Sequence, residues 1–62
     1  MNGYYALVID AVKQHDYRFL RAGAGSHESW THGRRKQTVP RNMPSRHIAN
    51  AVMKQAGIAH RF

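Results

Sequence analysis

Gly23-Ala24-Gly25-Ser26-His27-Glu28-Ser29-Trp30-Thr31-His32 is the stretch from which the fold can be read. Residues 23–26 combine two glycines with a serine, a composition that turns the chain sharply. Residues 27–32 then read as a short β-strand. Side chains on a strand alternate between two faces. His27, Ser29 and Thr31 therefore share one side, and Glu28, Trp30 and His32 share the other. Trp30 is the one large apolar group of the segment, so its side should face the core. That leaves His27 on the open face, at the start of the strand and beside the glycine turn.

Before the turn, Tyr17-Arg18-Phe19-Leu20-Arg21-Ala22 is rich in aromatics and predicts a strand over 17–22. Regular alternation pairs Tyr17 with Phe19 on one face and Arg18 with Leu20 on the other. Further back, residues 2–14 predict a helix. Asn2 is the candidate N-cap. Tyr4, Leu7, Val8, Ala11 and Val12 form the apolar stripe, with Ile9 at its flank.

After the second strand, Gly33-Arg34-Arg35 is a tight connection and Lys36 to Val39 a third strand. Pro40 ends it, because proline cannot donate to a ladder. Arg41 to Pro44 is a loop. Ser45 caps a second helix of about 11 residues, with Ile48, Ala51, Val52 and Gln55 along one face. Gly57 suits the position that ends a helix, and Ile58 can fold back onto Val52 or Met53. His60-Arg61-Phe62 is expected to fray.

The predicted architecture is α+β, in the order α-β-β-β-α, as one domain over residues 1–62. Three antiparallel strands form a sheet with both helices on one face. The other face is left to solvent.

Charge narrows the partners. Ten Lys and Arg oppose only Asp10, Asp16 and Glu28, for a net +7. Residues 29–62 carry seven basic side chains and no acid, so the chain cannot neutralise itself and should meet a polyanion. Cysteine is absent, which excludes disulfides and thiolate metal sites. No apolar run approaches the roughly 20 residues of a membrane span. No basic segment followed by an apolar stretch opens the chain, so no signal peptide is expected. The expectation is a cytoplasmic protein.

His27 is the candidate catalytic residue. Histidine is the side chain that exchanges protons near neutral pH. RNA carries its own nucleophile, the ribose 2′-hydroxyl. A base that removes its proton lets the oxygen attack the adjacent phosphorus, with no metal. Nearby cations stabilise the charge that develops. Arg21, Arg34, Arg35, Lys36 and Arg41 are candidates for that role and for RNA binding. Gly25 and Ser26 offer backbone N–H groups and a hydroxyl to a phosphate. The general acid stays open between His32, Lys36 and water. Trp30 is assigned to the core rather than to base stacking, and Glu28 to a structural or solvent-facing role. His27 and His32 lie on opposite faces of one strand and cannot chelate together. No metal or other cofactor is expected.

Residues Arg21-Ala22-Gly23-Ala24-Gly25-Ser26-His27-Glu28-Ser29-Trp30 resemble the Arg-X-Gly-X-Gly-Ser-His-X-X-Trp core of the HicA-family toxins. Val39-Pro40 resembles the Val-Pro that ends the family's third strand. Met53-Lys54-Gln55-Ala56-Gly57-Ile58 resembles its Lys-Gln-Ala-Gly-Ile helix ending. The three matches occur in order between Tyr17 and Ile58, while the N-terminal helix matches in length and amphipathicity alone. The resemblance implies a double-stranded-RNA-binding-domain-like fold. It also implies an mRNA-cleaving toxin of a toxin–antitoxin system, with the catalytic histidine at His27. The implied partner is a HicB-like acidic antitoxin that covers His27. The alternative expectation is a non-catalytic RNA-binding module of the same fold.

Overall fold

A computed structural model describes residues 3–62 of the chain. Its elements are α1 (Tyr5–Gln14), β1 (Arg18–Ala22), β2 (His27–His32), β3 (Arg35–Pro40) and α2 (Arg46–Gln55). The strands form one antiparallel sheet in the order β1-β2-β3. Both helices cover the same face of it. Val8, Ile9 and Val12 of α1 meet Ala49, Val52 and Met53 of α2, and both sets close over Trp30 and Val39. The expected α-β-β-β-α layout is the observed one.

Helix boundaries follow from their ends. Asn2, the expected N-cap, lies outside the described residues. The helix begins at Tyr5, where the preceding turn is tied to the loop before α2: the Tyr4 N–H donates to the Met43 carbonyl at 3.0 Å. Met43 itself is wholly buried. A residue read only as loop thus plugs the core between the helices.

Both helices end in the same motif. At α2, the Ile58 N–H donates to the Met53 carbonyl and the Gly57 N–H to that of Lys54, at 2.9 and 3.1 Å. Gly57 sits at φ +76° and Ile58 is buried, as a Schellman ending requires. At α1, Tyr17 and Asp16 donate to Val12 and Lys13 in the same pattern, both at 3.0 Å. Asp16 takes the left-handed position at φ +69°. A short polar side chain tolerates that conformation better than most. The two endings are stitched together: the Tyr17 hydroxyl and the Arg35 guanidinium both donate to the Ala56 carbonyl, at 2.8 and 2.9 Å.

The apolar stripes of both helices differ from those expected. Leu7 is half exposed, and Ile9 replaces it in the core of α1. On α2 the buried line is Ala49, Val52, Met53 and Ala56. Ile48, Ala51 and Gln55 are exposed. Both stripes of α2 have helical spacing and lie one residue apart. The one with the small Ala49 lets the helices approach closely and brings Met53 inside. The C-terminal tail is also not frayed. The Phe62 N–H donates to Asn50 Oδ1 at 2.8 Å, and its ring packs 5.8 Å from that of Tyr4.

Gly57 offers a test of this frame. A methyl group there would occupy a left-handed backbone position and collide with the Arg35 guanidinium. Gly57→Ala should cost about 1–2 kcal/mol, and a fall in Tm of at least about 4 °C in calorimetry. An unchanged Tm would contradict the assignment of this ending.

Candidate active site

β2 separates the two sides of the molecule. Glu28 and Trp30 point into the core, whereas His27 is exposed. The strand register places Pro40 across from His27 on β3. On the other side the Gly23 N–H donates to the His27 carbonyl at 2.8 Å. A Cβ on Gly23 would stand 3.9 Å from the His27 Cβ. The missing side chain therefore leaves the space beside the His27 Cβ unfilled. Ser26 is exposed, and its carbonyl accepts from the Arg41 N–H at 2.7 Å. That bond ties the glycine turn, with Gly25 at its tip, to the end of β3. Among the described residues, nothing hydrogen-bonds the His27 imidazole or the Ser26 hydroxyl.

Directly paired residues of an antiparallel sheet share a face. Arg21 pairs with Ser29, and Ser29 with Thr38. Arg18 pairs with Thr31, and Thr31 with Lys36. Arg21, Arg18 and Lys36 therefore belong to the same open face as His27. Arg18 was not among the residues expected at the site. Regular alternation would set Arg18 and Arg21 on opposite faces. A β-bulge between Phe19 and Arg21 leaves Leu20 without a partner and turns Arg21 outward.

The remaining candidates lie on other faces or, for Lys36, at the far end of this one. Arg35 faces the helices and holds the Ala56 carbonyl. Arg34 is in the turn at the far end of β2. Lys36 is four residues of strand from His27's row, about 14 Å. Arg41 adjoins Ser26 through its backbone, but its Nε is 3.3 Å from Glu28 Oε2, on the core side of the strand. His32 lies on the core side at the other end of β2, its ring 5.3 Å from that of Tyr17. Neither His32 nor Lys36 reaches the His27 imidazole. A hollow of about 760 Å³ beside Tyr17, Arg18 and His32 is at that far end too. Among the described residues no three His, Asp or Glu side chains gather as a metal site.

Glu28 is buried and not solvent-facing. Its carboxylate has two hydrogen-bond donors and one ion-pair partner. The Tyr5 hydroxyl is 2.8 Å from both oxygens, Trp30 Nε1 is 3.1 Å from Oε1, and Arg41 is on Oε2. Strand alternation already placed Glu28 beside Trp30. The signal that it was structural was its setting within that alternation.

Comparison of the chain with family models, curated proteins and solved structures finds no match.

The Glu28 cluster has a pH signature. Burial, the hydrogen bond to Glu28 and the carboxylate's charge hold the Tyr5 phenol above its ordinary value of 10.0, against a smaller opposing effect of Arg41. A group raised on folding contributes stability that is complete below its unfolded value and is lost as pH rises through its folded value. Native protein should therefore exceed Tyr5→Phe in stability by about 1 kcal/mol near neutrality. The gap should close as pH climbs past 10.0. Urea unfolding of the two proteins from neutral to alkaline pH measures this. A gap that widens with pH would contradict it.

Proposed function

We propose that this chain is an RNA-cleaving toxin of the HicA kind, an endoribonuclease that acts on mRNA without a metal. The observation that carries the reading is the exposed His27, on a sheet face whose charged side chains are cations and with the space beside its own Cβ unfilled. The resemblance between Arg21 and Trp30 supports it, as do the Val39-Pro40 and Met53–Ile58 matches. The fold is assigned on the same basis to the double-stranded-RNA-binding-domain-like class, and the cytoplasm is proposed as the compartment on the separate ground of composition: no cysteine and no long apolar run. No helix among the described residues is long and apolar enough to cross a membrane.

In this mechanism the His27 imidazole takes the proton of a ribose 2′-hydroxyl. The freed oxygen bonds to the adjacent phosphorus. The bond from phosphorus to the 5′-oxygen breaks, and that oxygen leaves with a proton supplied by solvent. The products are a 2′,3′-cyclic phosphate and a 5′-hydroxyl. Arg21, one row from His27, is the nearest cation on this face by register and stabilises the charge on the phosphoryl oxygens. The glycine turn presents Gly25 and Ser26 to the same phosphate. An acidic antitoxin of the HicB kind would cover His27 and these cations together. Its binding would stabilise the folded chain by mass action.

A non-catalytic RNA-binding module is the second reading. One observation favours it: no side chain among the described residues orients the His27 ring. A time course of RNA with excess chelator separates the two. The nuclease reading expects cleavage to continue in chelator and His27→Ala to slow it by about 10²–10⁴-fold, the usual contribution of a positioned base. The variant should keep its circular dichroism spectrum, because the side chain is exposed. Full activity in His27→Ala, or RNA that stays intact with native protein, would overturn the proposal.

A further inference from the structure

The open face is organised in rows. His27 opens the first, with Pro40 across from it. Arg21, Ser29 and Thr38 make the second, and Arg18, Thr31 and Lys36 the third. Rows on one face of a strand are about 7 Å apart. In the third row the two cations come from the outer strands and flank Thr31 on the central one. In the second, Arg21 flanks Ser29 from β1. No acid belongs to any of these rows. Asp10 is on α1, Asp16 at the α1–β1 junction, and Glu28 on the other face. The aromatic side chains of the sheet also turn away: Trp30 is buried, and Phe19 packs edge-on against it at 5.6 Å.

We propose that this face binds a single-stranded nucleic acid backbone running along β2, with Arg21 and then the Arg18–Lys36 pair gripping successive phosphates on one side of the His27 row. It rests on the reading of the face as an RNA surface and adds the substrate's form and direction. Cations in successive rows about 7 Å apart suit an extended strand, whose freely rotating backbone can follow the twist of the sheet. A strand held in a duplex keeps its own helical path. Transfer to the 2′-oxygen also needs the attacking and leaving oxygens in line, which requires a backbone free to rotate. The cations of the face contact phosphates and not base edges, so binding is tolerant of sequence. The bulge at Leu20 is the device that creates the track, since without it Arg21 would leave this face.

Single-stranded DNA tests the track without cleavage, because it lacks the 2′-hydroxyl. Binding of a labelled oligothymidine is followed by fluorescence anisotropy over a range of salt. Native protein is compared with Arg18→Gln, Arg21→Gln, Lys36→Gln and Lys54→Gln, the last an exposed cation on α2 behind the sheet. Each of the first three should lose about 0.7 in the slope of log K against log salt, or about fivefold in affinity at about 0.1 M. Lys54→Gln should match native protein, and a DNA duplex of equal length should bind more weakly. No binding, equal losses for Lys54→Gln and Arg18→Gln, or a duplex held as tightly as the single strand would overturn the proposal. RNA cleavage is read separately. Intact RNA with the predicted DNA pattern sinks the nuclease reading and leaves the track standing. Cleaved RNA without that pattern does the reverse.

Discussion

A buried carboxylate holds the two sides of this protein in their places. Glu28 is drawn out of water and is satisfied only because Tyr5 from α1, Trp30 from its own strand and Arg41 from the end of β3 all reach it. A buried acid left without donors is costly, and one with a full set is stable only in the geometry that supplies them. The cluster therefore specifies the phase of β2. A slip of one residue would expel Glu28 and Trp30 and draw His27 into the core. The exposure of the candidate catalytic imidazole is thus a consequence of what lies beneath the neighbouring residue.

The other constraint lies at the far end of the sheet. One carbonyl, that of Ala56, accepts from both Tyr17 and Arg35. It joins the end of α1, the start of β3 and the end of α2. A chain of 62 residues without cysteine has little core to spare. Here polar bonds at each end of β2 fix the helices over a small apolar centre. Arg35 is occupied in this way, which explains how a basic run in the sequence divides between structure and surface.

Much of this was legible from residues alone. The alternation around Trp30 set the inner and outer faces, Ser45 marked the start of α2, and Gly57 marked its end. What was not legible has physical causes. Two helical stripes on α2 differ by one residue, and only packing against α1 chooses Ala49 over Ile48. Asp16 ends α1 in a conformation usually signalled by glycine. Met43 looks like loop and is core. The bulge at Leu20 has no marker in the sequence, and with it went the place of Arg18 and the direction of Arg21. The site residues divide accordingly. Gly25, Ser26, His27 and Arg21 come together, while Arg34, Arg35, Lys36 and the Arg41 side chain lie apart from the imidazole.

The proposed chemistry is an imidazole taking a proton from ribose at a face open to an RNA backbone. The ends left on the RNA report that chemistry directly. Mass spectrometry of a defined single-stranded RNA after incubation with the protein and excess chelator should find 2′,3′-cyclic phosphates upstream of each cut and 5′-hydroxyls downstream. Fragments ending in 3′-hydroxyls and 5′-phosphates would contradict this chemistry, because water and not the ribose oxygen would then have attacked.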